Sequence, residues 1–455
     1  MSEMIEKALE TATETRAIAF GDDANLRAGS VFVTTFPGQK AFLVADENTW
    51  GAAGQTIKKS LEEAGVEFAA APYIFPGKPT LYAGYENVEI LRELIRPYEE
   101  TVVVSLGGGT LNDLAKLASG ELGREYMNVC MAASVDGFAS FGASISRDGF
   151  KITRSCPAPA ALIADTQTMV DAPERLTATG YGDLIEKIPA GADWILSDEL
   201  GIEPIDEYVW SLVQDPLLES LAEPEKTHSR DHDAIEKLGE GQIMSGLAMQ
   251  AHQSSRPASG AGHQFSHVWE MEGHGLDWEP PLSHGFKVGV GTVASLAIWE
   301  EFLAMSEEDF DIDRALARVK TPAEIEQNVR VLLKPRIAEE AVKHSLGKRM
   351  SGDELRNRID LLKSRWSAIK ERCEKQIIPA QEAMDKLKAA GAPYHPELIG
   401  IDWDRFRETH IKAQMIRPRY TVVDILTDLG LYEDVIEHLF SSEGFWGKHR
   451  HPEAK

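Results

Sequence analysis

In the stretch TVVVSLGGGTLNDLAKLAS an apolar run passes straight into Gly107-Gly108-Gly109 and then into a helical pattern. That handover constrains the fold more than any other feature of the chain. A buried strand followed at once by a helix cannot close as a hairpin, so its neighbours must be parallel and joined by covering helices. The surrounding sequence repeats the theme. KAFLVAD, VEFAAAPYIF, MNVCMAAS and APAALIAD read as strands, while TWGAAGQTIKKSLEEAG and ENVEILRELIRPYEE read as amphipathic helices. Residues 1–174 are therefore predicted to form a Rossmann-like α/β domain, entered through a charged, helical lead-in, MSEMIEKALETATETRAIAF. From about residue 175 the strand pattern stops. DWILSDELG, VWSLVQDPLLESL and KLGEGQIMSGLAMQAH carry helical spacing, so residues 175–455 are expected to be all-α. The length of 455 residues accommodates two such domains, since single cores rarely grow beyond about 250–300 residues.

The glycine turn is not GxGxxG, but it sits where a strand meets a helix N-terminus. Backbone there can approach a pyrophosphate closely, although glycine also serves simply to allow a tight turn. A second informative region is AHQSSRPASGAGHQFSHVWEMEGHGLDWEPPLSHGFKVGVGT, where histidines are interleaved with glycine and serine. If GHQFSH is helical, His263 and His267 share one face, and His284, beyond Pro280-Pro281, can return a third imidazole. Asp183, in TGYGDLIEKIPAGADW, is expected just after a glycine turn at a helix start and would supply the anion of an Asp/His/His cation site. Any one of these histidines alone reads as a hydrogen-bonded structural residue; the cluster favours ligation. His228 and His232 form an alternative pair, read as a solvated helix start because they lack an apolar surround.

Composition excludes several classes. A formal net charge of −26 speaks against nucleic-acid or anionic-membrane partners. Cys130, Cys156 and Cys373 contain no CxxC pair and fit a reducing compartment. No signal-peptide pattern and no bilayer-length apolar run is present, so a cytoplasmic protein is expected. Asp148-Gly149 signals a hairpin turn, and SVDGFAS, after a buried strand, falls where the crevice of an α/β sheet opens. Asp136 there could be no more than a loop cap.

GYGDLIEK, SSRPASGAGHQFSH, LSHGFKVGVG and RPRYTVVDILTDLGL, in this order, resemble the sn-glycerol-1-phosphate dehydrogenase family of the iron-containing alcohol dehydrogenase and dehydroquinate synthase superfamily. The resemblance implies a dehydroquinate synthase-like fold with metal ligands at Asp183, His263 and His284. It implies a dinucleotide site at Gly107, Gly108, Gly109, Thr110 and Asp113, with Ser134 and Ser140 facing the cofactor and Asp136 in contact with substrate. In family terms Asp46 approaches the adenosine ribose, which favours NAD over NADP. Where four-ligand iron enzymes place another histidine, this chain has Lys187, an argument for zinc or nickel over iron and for Lys187 at the catalytic centre. Two further departures are Gly262, usually acidic in relatives, and Phe286, commonly Glu.

The expected chemistry is reduction of dihydroxyacetone phosphate, or a close polyol or sugar phosphate, by NAD(P)H at a metal-polarised ketone. His267, one helical turn from a ligand position, is the candidate for a proton relay or for a residue that supports the ligands, and Arg256 is the first choice for the phosphate tail, beside Lys151, Lys287 and Lys187. The alternatives are a dehydroquinate synthase-like cyclase or lyase using NAD transiently, an oxidoreductase of an unphosphorylated polyol, and a metal- or nucleotide-binding regulator. The resemblance also implies a homo-oligomer, a dimer or larger.

Overall fold

The computed structural model describes residues 3–147 and 150–452, with side chains for all of these but 150–152. Among the described residues, eight strands lie in the first part of the chain: β1 (Ala17–Gly21), β2 (Lys40–Asp46), β3 (Tyr73–Phe75), β4 (Thr101–Gly107), β5 (Tyr126–Cys130), β6 (Ala143–Arg147), β7 (Phe150–Arg154) and β8 (Ala161–Asp165). Six make a parallel sheet in the order β1-β8-β5-β4-β2-β3, and β6 pairs antiparallel with β7 as a separate hairpin. The expected turn of that hairpin, Asp148-Gly149, lies outside the described residues.

The strands are apolar on both sides because both faces are covered. In β2, Leu43 and Ala45 enter one core with Val104 and Ile163, while Phe42 and Val44 enter another with Val88 and Leu114. This period of two, buried twice, explains why no polar alternation marks these strands. The order in which strands are added reverses between the parallel neighbours β2 and β4, where Ala45 pairs with Leu106, so Asp46 and Gly107 adjoin at the carboxyl edge. In open α/β sheets that reversal opens a ligand crevice.

Two strand expectations are corrected. The lead-in is helical only over Glu3–Leu9, and AIAF forms edge strand β1, because Ile18 and Phe20 join one core and Ala19 another. VEFAAAPYIF supplies only the short β3, with Phe68 touching Ala41 in a single bridge, since Pro72 cannot donate to a ladder.

After Asp165 the described chain contains helices and no further strand. Four of them build the site: Glu174–Leu184, Lys187–Glu199, Ala261–Met271 and His284–Leu303. Asp183 is not at a helix start as expected. It occupies the last turn of 174–184, before a break at Ile185-Glu186. The neighbouring glycines are crossing points between helices. A Cβ on Gly182 would strike the Gly285 carbonyl, and one on Gly285 would overlap the carbonyl of Thr179. On the other side, a Cβ on Gly291 would overlap the carbonyl of Gly262. Gly262 is itself hemmed in, with Glu186 Cγ 2.9 Å from where its Cβ would stand, so an acidic side chain does not fit there. No described helix is long and apolar enough to cross a membrane.

Gly285→Ala is expected to cost about 3 kcal/mol, because backbone on both sides must move to admit one methyl group. A urea midpoint equal to that of the parent would show that the helices can separate freely here.

Candidate metal centre and cofactor crevice

The two glycine crossings bring Asp183, His263 and His284 together. His263 Nε2 and His284 Nε2 each stand 3.7 Å from Asp183 Oδ1, and the three ligand atoms lie within 4.8 Å of one another. Asp183 is fully buried and, among the described residues, its Oδ1 has no hydrogen-bond partner, with Lys187 Nζ 3.9 Å away, whereas Oδ2 accepts the Asp136 N–H at 3.0 Å. A buried carboxylate oxygen without a donor is costly, and a cation facing it offsets that cost. The three residues could therefore hold one divalent ion.

Both imidazoles are backed by carboxylates. His284 Nδ1 lies 2.8 Å from Glu270 Oε1, and His263 Nδ1 lies 2.9 Å from Glu186 Oε2, the latter off the line of a good hydrogen bond. Each contact orients its ring with Nε2 toward Asp183, the arrangement that metal-binding histidines use. Burial drives His263 well below its usual pKa, and Lys187 and His284 add to this, so the ring is the neutral form that can ligate. Burial also pushes the Glu186 carboxyl up to about 8, against the pull of Lys187 and of the N–H groups of Gly260 and His263. For Asp183 burial works against ionisation, but Lys187, His284 and the Asp136 N–H hold its carboxyl below the ordinary range.

Lys187 is interior to the cluster. Its Nζ is 2.7 Å from Asp136 Oδ2 and donates to the Asp183 carbonyl at 2.9 Å. That position removes it from the phosphate-tail candidates. Asp136 is more than a loop cap: Ser245 Oγ also donates to its Oδ2, at 3.0 Å. His267 lies in the same group, with ring centroids 5.8 Å from His263 and 6.3 Å from His284. Arg417 donates to its Nδ1 from Nε and Nη2, both at 3.3 Å. Burial and that guanidinium hold His267 well below its usual pKa, so the ring is a neutral donor at Nε2.

The other expected cations fare differently. Arg256 is fully buried and donates to Asp193 O, Ser197 Oγ and Tyr420 O, with Glu203 3.2 Å from its Nε. It fastens the helical core and cannot receive a phosphate. Lys287 is buried and already engaged. The Lys151 side chain lies outside the described ones. His228 pairs with Glu174, and His232, beyond a break, pairs with Asp22, so the two do not form a pair.

In the crevice, Gly107 is crowded by Leu111 and Gly109 by Val135, but a Cβ on Gly108 would meet only Ser134 Oγ at 3.6 Å. The protein itself therefore leaves room above Gly108, as close approach of a dinucleotide backbone requires. Thr110 lies in the first turn of helix Gly109–Glu121. Asp113 Oδ2 accepts the Ser144 N–H, and Asp46 Oδ1 accepts the N–H groups of Asn48 and Thr49, which leaves Oδ2 open. Ser140 Oγ donates to Gly137 O. Lys116, which the sequence did not single out, is buried beneath this loop and donates to the carbonyls of Gly137, Ser140 and Gly142. A separate cavity of about 470 Å³, lined by Lys348, Met415, Asp424 and Tyr432 among others, contains none of the expected site residues.

This fold and cluster define the class: residues 20–173 match the profile of the family described as iron-containing alcohol dehydrogenase. Glycerol dehydrogenase from Schizosaccharomyces pombe shares the fold, with a TM-score of 0.60 over 98% of this chain and 93% of that one at 15% identity. Within the class, the chain belongs to the glycerol-1-phosphate dehydrogenase family, as its motifs predicted. It is 36% identical over 269 residues to glycerol-1-phosphate dehydrogenase (NAD(P)+) of Halalkalibacterium halodurans, covering 59% of this chain and 67% of that one. With the protein of the same name from Bacillus licheniformis it shares 32% identity over 303 residues, 66% of this chain and 75% of the relative.

Sequence reasoning missed Glu186 and Glu270, although both lie within the quoted motifs, at three after Asp183 and seven after His263. Glu270→Gln is expected to weaken zinc binding about 10- to 100-fold with the fold intact, since it loosens His284. Competition against a chelator at fixed pH measures this, and an unchanged affinity would remove Glu270 from the site.

Proposed function

We propose that this chain is an NAD(P)-linked, metal-dependent dehydrogenase that reduces dihydroxyacetone phosphate to sn-glycerol 1-phosphate. The observation that carries the reading, in a chain of this family, is Asp183 Oδ1, buried without a hydrogen bond among the described residues and facing the Nε2 atoms of His263 and His284. When bound, a divalent cation would supply Lewis acidity there and the nicotinamide would supply the hydride. Asp183, His263 and His284 would hold the cation, and Glu186 and Glu270 would fix the two imidazoles. Lys187 stands where a fourth ligand would be and is itself a cation, which supports zinc or nickel over iron.

Gly107, Gly108, Gly109, Thr110 and Asp113, with Ser134 and Ser140, would hold the dinucleotide. The open Oδ2 of Asp46 favours a ribose hydroxyl over a phosphate, and so NAD over NADP. Lys187 holds Asp136 in place beside the cluster, where its other oxygen can accept from a substrate hydroxyl. His267, kept neutral, orients substrate by donating from Nε2. On this reading the chain divides near residue 174 into a cofactor-binding part and a metal- and substrate-binding part, and it acts as a cytoplasmic homo-oligomer. The family favours this reaction over cyclase chemistry and over an unphosphorylated polyol.

The test is oxidation of NADH and NADPH with dihydroxyacetone phosphate, and with dihydroxyacetone in parallel, on protein reconstituted with zinc or nickel. The phosphorylated ketone should be turned over in strong preference. Asp183→Asn combined with His263→Ala should lose metal and about 10³-fold in rate while remaining folded. Turnover that survives without metal, or a preference for dihydroxyacetone, would reject the proposal.

A further inference from the structure

Arg417 and Arg419 flank the first turns of the helix that carries His263 and His267. Arg417 touches His267, and Arg419 donates to Ser259 O at 2.6 Å and to Ser255 Oγ at 3.0 Å, across the loop that leads into that helix. Neither has a carboxylate partner among the described residues. Arg417 Nη1 and Arg419 Nε have no hydrogen-bond partner there, yet neither is sealed in, and both arginines are only part-buried. The nearby cations are otherwise consumed: Lys187 by Asp136, Arg256 by Glu203 and three oxygens. Arg419 is also close enough to Glu186 and His263 for its charge to act on both.

Two guanidinium groups on one short segment, partly withdrawn from water and with no carboxylate in salt-bridge contact among the described residues, are costly in a protein of net charge −26, where carboxylates are plentiful. Burial pulls Arg419 down to about 9, with Arg256 next among the causes and Arg417 also contributing, and burial pulls Arg417 in the same direction. Glu203 and Glu186 pull Arg419 the other way, and Glu270 does so for Arg417, yet burial outweighs them; an arginine keeps its proton under ordinary conditions, so both groups stay charged. A dianion between the two would relieve that cost and would engage the planar donors that remain unused.

We propose that Arg417 and Arg419, with the Ser255 hydroxyl at the rim, form the subsite for the phosphate group of the substrate and so set the preference for a phosphorylated over a neutral ketone. This rests on the dehydrogenase reading for its substrate, but the anion site stands on its own geometry. It replaces Arg256, Lys287 and Lys187 in that role.

The experiment uses the metal-reconstituted enzyme, with inorganic phosphate as the probe in calorimetry and as an inhibitor against ketone. Arg419→Met and Arg417→Met should each weaken phosphate binding about 10- to 100-fold, the range for losing a charge-assisted contact. They should raise KM for dihydroxyacetone phosphate by a similar factor, so that the preference over dihydroxyacetone falls. Arg419→Lys should recover part of the loss, which a packing defect would not. Equal phosphate binding in parent and variants, or an equal loss with both ketones, overturns the subsite. If the parent binds phosphate through these arginines yet does not reduce dihydroxyacetone phosphate, the reaction assignment falls and the anion site remains. If the parent reduces it but does not bind phosphate, the reverse holds.

Discussion

Backbone contact between helices at glycine sets the geometry of the centre. Gly182 against Gly285, and Gly262 against Gly291, let three helices approach until carbonyl oxygens replace side chains at the crossings. Each of the three clustered residues is next to one of these glycines: Asp183 after Gly182, His263 after Gly262, His284 before Gly285. Their short separation is therefore a consequence of main-chain packing, with the Asp183, His263 and His284 side chains carried along. Close-packed interiors resist small shifts, so such a centre is rigid before any ion arrives.

The same crossings explain which parts of the centre the sequence disclosed. His263, His267 and His284 were legible because helical spacing and chemistry coincide, and Asp183 because it follows GYG. Its placement in the helix was misread because glycines next to a polar residue look like a turn, whereas here they allow close approach within a helix. Gly262 looked like a missing acid. The structure shows Glu186 filling the space an acidic side chain would need, and supplying a carboxylate to His263 from the next helix start. Arg256, in a polar and glycine-rich segment, had every outward mark of a binding residue and proved to be a buried tie, since burial is not written into local composition. Arg417 and Arg419 open the RPRYTVVDILTDLGL motif, but their place beside the cluster was not legible for the converse reason: they lie about 150 residues beyond the histidines, and only the fold brings them alongside.

In the sheet the legible part was the strand set, because buried parallel strands are short apolar runs that helices follow. The edge strand β1 was lost in a charged lead-in. It pairs with β8 across more than 140 residues of sequence, from Ala17 to Ala161, and nothing local announces such a partner.

The joint between sheet and helices is built differently from the centre itself. The loop after β5 is held from one side by Lys116, which donates to three of its carbonyls, and from the other by Asp183 and Lys187, which take the Asp136 N–H and carboxylate. These contacts are polar, directional and charge-assisted, where the crossings beneath the histidines are steric. A steric contact fixes distance and tolerates no opening. A set of hydrogen bonds to one loop fixes orientation and can exchange partners when a ligand offers better ones. The crevice can therefore adjust around its occupants while the three-residue cluster keeps its spacing, and the loop carrying Ser134, Asp136 and Ser140 is where that adjustment is expressed.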